Sequence, residues 1–175
     1  FMDKEKGGFF LYGNDGEELI MRPKEIYDGA IPSGNSVATY NLTRLSHILE
    51  DERLEEIASK QFEVFGGSIN SSPMAYSFML IALESLRRSG NKIVLVGNQN
   101  DRDYVEIKRE IDNKYLPFTT KIFIDKSSDR LNMLKEKFKD YSIIKGKICA
   151  YICKDFTCLE PINEKEKILE IIKVL

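Results

Sequence analysis

RRSGNKIVLVGNQND, residues 87–101, is where the chain changes character. Before it, apolar residues recur three and four apart, the period of a helix. Ile93-Val94-Leu95-Val96 is instead a short continuous apolar run, as in a buried strand. Gly97-Asn98-Gln99-Asn100-Asp101 then supplies turn residues and ends on types that cap helices. The composition break at Ser89-Gly90-Asn91 therefore divides the sequence into a helical region, 1–90, and a small α/β region, 91–175.

After the break, a helix is marked by Tyr104, Ile107 and Ile111, and a second strand by Lys121-Ile122-Phe123-Ile124. Leu131, Leu134 and Phe138 mark another helix, and Ile148 to Cys153 a third strand. A short strand at Thr157–Pro161 and a terminal helix through Ile168, Ile171 and Ile172 complete the chain. Strands alternating with helices predict a small, mainly parallel sheet with helices packed on it.

Before the break, three helices are expected. The first carries Ala38, Leu42, Leu45 and Leu49, with Ser33 or Asn35 as N-cap. The second carries Leu54, Ile57, Ala58, Phe62 and Phe65 and ends near Gly66-Gly67. The third opens with Ser72 and Pro73 and is apolar nearly all round from Met74 to Leu83, which predicts burial on more than one side. Arg87, Arg88 and Gly90 close it. Gly7-Gly8-Phe9-Phe10-Leu11-Tyr12 and Leu19-Ile20-Met21, on either side of Gly13-Asn14-Asp15-Gly16, predict a hairpin.

Lys plus Arg is 26 and Asp plus Glu is 28, a net charge of -2 that gives no reason to expect nucleic acid or an anionic membrane as partner. No apolar run reaches membrane-spanning length, and no signal-peptide pattern opens the chain. Three Cys and one His fit a reducing, cytoplasmic compartment. Phe1 precedes Met2 and the first residues read as mid-domain, so the expectation is a fragment of a longer protein.

Two stretches carry candidate chemistry. Arg22-Pro23-Lys24-Glu25-Ile26-Tyr27-Asp28-Gly29-Ala30 is dense in ionisable groups for a loop. Glu25 and Asp28 are candidates for an acid and base pair, with Arg22 or Lys24 keeping one carboxylate ionised. Ser33-Gly34-Asn35-Ser36 presents hydroxyls and N–H groups at a helix start, where a hydroxyl-rich or anionic ligand can bind. The alternative is a capped helix with solvated loop charges. The second stretch is Cys153-Lys154-Asp155-Phe156-Thr157-Cys158. A four-residue turn between two strands sets the cysteines opposite each other, close enough for a disulfide. The alternative is two buried free thiols. Cys149 shares their strand face, but His47 is remote in sequence, so no metal site is expected, and no cofactor. Gly97–Asp101 lacks a nucleotide-binding pattern and reads as a plain loop with Asn100 or Asp101 as cap.

Gly7-Gly8-Phe9-Phe10, then Arg22-x-Lys24-Glu25-x-x-Asp28-Gly29-Ala30-x-Pro32-Ser33-Gly34-Asn35-Ser36, and finally Tyr151-x-Cys153-x-x-x-x-Cys158-x-x-Pro161 resemble the spermatogenesis-associated, thioredoxin-domain-containing proteins. The resemblance spans nearly the whole chain. It implies an N-terminal thioredoxin-like domain in the parent, a six-hairpin (α/α) toroid akin to glycosidases and N-acylglucosamine 2-epimerases, and a small C-terminal α/β part. This chain would hold the last toroid helices and that C-terminal part, an α+β fold overall. The resemblance supplies an architecture more than a reaction. It implies Arg22, Lys24, Glu25, Asp28, Ser33, Asn35 and Ser36 at the toroid mouth, facing a carbohydrate-like ligand. The missing domains of the same chain would be partners, and the isolated fragment is expected to be inactive and to self-associate.

Overall fold

Ser33 takes an extended backbone and its Oγ accepts the N–H of Ser36, which starts α1 (Gly34–Leu49). In the computed structural model, residues 1–16, 20–88, 91–128, 134, 136–154 and 157–175 are described. They group into two compact units, Phe1–Arg87 and Arg88–Leu175.

In the first unit α1 packs against both α2 (Glu52–Ser71) and α3 (Ser77–Arg87). Its inward face differs from the expected leucine stripe. Asn35, Ser36, Thr39, Thr43, Ser46 and His47 are buried, whereas Leu45 is 45% exposed. Short side chains at a helix contact let the axes come close. The Thr39 and Ser46 hydroxyls donate back to the carbonyls of Asn35 and Thr43, so their burial leaves no unmet donor.

α2 is capped by Asp51, which accepts the N–H of Arg53. It does not end at Gly66-Gly67 but runs on to Ser71. Glycine costs about 1 kcal/mol in a helix interior. Ile69, one turn on, packs with Phe65 and Met79, and burying such a side chain contributes about 1.5–3 kcal/mol. Ser72 makes no side-chain cap, and Pro73–Tyr76 is a 3-10 turn before α3. α3 buries one face, Met79, Ala82 and Ser85, and leaves Ile81 45% exposed; burial on several sides is not seen within this unit.

The expected hairpin also differs. Phe9 bridges Met2, and Phe10 donates its N–H to the carbonyl of Phe1, while Leu11 N–H reaches the carbonyl of Pro23. Leu19 lies outside the described residues. Gly7 and Gly8 turn the chain at φ 79° and 80°, against Lys60 and Phe65 of α2, where a Cβ would have no room.

The second unit is a four-stranded sheet in the order β2-β1-β3-β4, with β1 Lys92–Gly97, β2 Thr120–Asp125, β3 Cys149–Lys154 and β4 Thr157–Cys158. α4 (Arg102–Asn113) connects β1 to the parallel β2, and α5 (Lys165–Val174) ends the chain. β3 runs antiparallel to β1, and β4 antiparallel to β3. The sheet is therefore mixed, not mainly parallel. The apolar pattern of Ile148–Cys153 reports burial, and burial is the same whichever way a strand runs. Of the expected helix through Leu131, Leu134 and Phe138, Leu131 lies outside the described residues; Phe138 donates its N–H to the carbonyl of Leu134, but residues 136–140 form turns rather than a helix.

Alternation gives the sheet two apolar faces. Ile93, Leu95, Ala150 and Ile152 pack with Tyr104, Ile107 and Ile111 of α4 and Ile168 and Ile172 of α5. On the other face Tyr151 stands edge-on to Tyr141, 5.0 Å between centroids, and its hydroxyl donates to the carbonyl of Ser142. Beyond β4 the pairing continues irregularly. Leu159 N–H donates to Ile152, and Ala150 and Ile162 exchange both bonds. Two residues, Glu160 and Pro161, thus lie opposite Tyr151 alone, a bulge at a position where proline has no N–H to lose.

Candidate functional site

The loop candidates are held by backbone. Asp28 is 8% exposed. One carboxylate oxygen accepts the N–H of Ser33 at 2.8 Å; the other accepts Phe78 N–H at 2.9 Å and Met79 N–H at 3.1 Å. The Asp28 N–H donates to the carbonyl of Ala75. Asp28 therefore closes the turn before α1 and caps the start of α3. A carboxylate at a helix N-terminus satisfies N–H groups that the helix cannot. Sequence spacing could not show this, because the capped helix lies 50 residues away.

Asn35 is an equally complete clamp. Its Oδ1 accepts Phe9 N–H at 2.7 Å, and its Nδ2 donates to the carbonyls of Phe9 and Glu25 at 2.9 and 2.8 Å. Ser33 and Ser36 hydroxyls pair at 2.9 Å. Lys24 Nζ donates to Asp3 at 2.7 Å and to the carbonyl of Gly7 at 2.6 Å, and lies 4.9 Å from the Phe10 ring centroid. Arg22 stacks on the same ring at 4.1 Å and donates to the carbonyl of Tyr12. Arg22, Lys24, Asn35 and the Glu25 carbonyl thus gather around Phe9 and Phe10, while Asp28, Ser33 and Ser36 gather at the two helix starts. Asp3, unnoticed in the sequence, is drawn into the first cluster. The Lys24 hydrogen bond, followed by the N–H of Lys6, lowers its pKa to about 2.

The cysteine pair is built by register. One row crosses the sheet through Thr120, Lys92, Cys153 and Cys158. The 152/159 rung carries the hydrogen bond, so 153/158 is the adjacent unbonded rung, where strands approach most closely. Cα atoms are 3.9 Å apart, and Cys153 and Cys158 form a disulfide. This replaces the alternative of two buried free thiols: Cys153 is half-buried and Cys158 exposed. Cys149 is a free, buried thiol whose pKa is raised by burial, partly offset by a hydrogen bond with Tyr151. Among the described residues no group of His, Cys, Asp and Glu is arranged to hold a metal ion, and no helix is long and apolar enough to cross a membrane.

No protein-family model and no solved structure matches the chain. An uncharacterized protein of Caenorhabditis elegans is 29% identical over 165 residues, 94% of this chain and 22% of that protein. Spermatogenesis-associated protein 20 of Homo sapiens is 26% identical over 168 residues, covering 94% of this chain and 21% of its own length. The same-named protein of Rattus norvegicus aligns with the same identity and coverage. The chain spans about a fifth of the length of the curated relatives it matches. Over nearly all its residues, then, this chain is similar to one segment of the much longer proteins called spermatogenesis-associated protein 20.

Proposed function

We propose that this chain is the C-terminal part of a longer thioredoxin-domain-containing protein with a six-hairpin toroid, and that it serves there as a redox-linked module. Its working group is the Cys153–Cys158 disulfide. The observation that carries the reading is the paired sulfurs on an exposed edge hairpin with Cys158 open to solvent. In a reducing compartment such as the cytoplasm, a disulfide in that setting is transient rather than structural. The reaction is exchange: a donor dithiol gives two electrons and two protons, the chain gains two thiols, and the donor leaves as a disulfide. A thioredoxin-like domain supplies a dithiol of that class.

The loop after β1 reads Gly97-Asn98-Gln99-Asn100-Asp101 and lacks the C-x-x-C of a thioredoxin-like site. Exchange chemistry at that loop has no sulfur to use, which leaves the hairpin pair.

The carbohydrate reading, with Glu25 and Asp28 as acid and base and Arg22, Lys24, Ser33, Asn35 and Ser36 binding substrate, has less support. The Asp28 oxygens are taken up by three backbone N–H groups. Thiol counting across glutathione buffers tests the redox reading. Counted after quenching and unfolding, one free thiol, Cys149, is expected at the oxidising end and three at the reducing end, with a single two-electron transition between. Cysteines that stay unpaired at every ratio would defeat it.

A further inference from the structure

We infer that an incoming thiolate attacks the sulfur of Cys158, that Cys153 is the leaving group, and that Lys92 eases its departure as a positioning residue. This rests on the redox reading above. Three observations carry it. Cys158 lies on a two-residue edge strand and is exposed, whereas Cys153 lies in a strand paired on both sides and is half-buried. Attack on a disulfide needs access to the sulfur attacked, and it is faster when the departing thiolate is the more stable one. Lys92 is the direct cross-strand partner of Cys153 on β1. Residues so paired share a sheet face, with Cβ atoms about 4.5–5.5 Å apart. From there the flexible four-carbon stem of Lys92 is long enough to bring its ammonium to Cys153 Sγ, and a cation beside the sulfur favours the thiolate. The same face carries Thr120 beyond Lys92 and Tyr151 along β3; Lys154, the next residue, faces the other way.

The step balances. The donor sulfur bonds to Cys158 Sγ, the Cys153–Cys158 bond breaks, and its electron pair goes to Cys153 Sγ. The donor's second thiolate then attacks its own mixed-disulfide sulfur, releasing Cys158 as a thiolate and leaving the donor oxidised. Both protein thiolates take protons from water.

The test mixes the oxidised chain with reduced glutathione, quenches within the reaction with excess iodoacetamide, and maps both modifications by mass spectrometry. Glutathione on Cys158 and alkyl on Cys153 is expected. Glutathione on Cys153, or an even split, overturns the assignment while leaving the redox reading standing. A disulfide that no thiol opens overturns both. In a second arm, Lys92→Met should slow reduction roughly threefold and move alkylation of reduced Cys153 to higher pH, with Lys92→Arg restoring both. Unchanged rate and unchanged alkylation profile in Lys92→Met remove Lys92 from the proposal.

Discussion

Asp28 is the residue on which the first unit turns. Its oxygens tie the turn before α1 to the first N–H groups of α3. Removing them leaves three buried donors without partners, so Asp28→Ala is expected to destabilise the chain by about 2–3 kcal/mol, read as a lower urea midpoint. Asp3 gives a pH signature. Its folded pKa, about 2, lies below the ordinary 3.8, so its stabilisation is complete above about pH 4 and is lost as pH falls towards 2. The gap in thermal midpoint between the wild type and Lys24→Met should be widest at neutral pH and narrow as pH falls towards 2, what remains there being the Gly7 carbonyl bond and the Phe10 contact of Lys24. Ser33 and Asp101 were legible as caps because a cap and its helix adjoin in sequence. Asp28 was not, because its helix comes 50 residues later.

Among the elements, periodicity located β1, β2, β3 and the helices around Ile107 and Ile168, but it left their directions open. A strand buried on both faces carries no mark of which way it runs. That is why β3 read as parallel when it pairs antiparallel with β1. The inward face of α1 was misread for a related reason. Hydrophobic spacing finds the apolar side of a helix, and here the buried side is small and polar. Close packing can also be tested directly. A Cβ at Gly97 would lie 2.5 Å from Cδ2 of Tyr104, a residue 3% exposed in the sheet–helix core. Gly97→Ala should therefore push α4 off β1 and destabilise by about 1–3 kcal/mol, lowering the urea midpoint and weakening amide protection in β1 and α4. α5 is pinned to α4 by Lys165, which donates to Asp103 at 2.7 Å and to Glu106 at 2.8 Å; these two bonds, Asp103 first, raise its pKa.

At the level of the whole molecule, the apolar residues left outside the first unit's core are informative. Val37 and Leu45 on α1 and Ile81 on α3 are exposed, while the buried face of α1 is polar. We propose that the isolated chain self-associates through such surface. Sedimentation equilibrium should then show mass rising with concentration, and a clean monomer at high concentration would count against it. The second unit handles its open flank differently. Pro161 sits in the bulge beyond the two-residue β4 and offers no N–H outward. A stranger's strand arriving there finds too few rungs to zip onto. The hairpin can therefore stand in solvent with its sulfurs within reach of a reductant without seeding a fibril along that side.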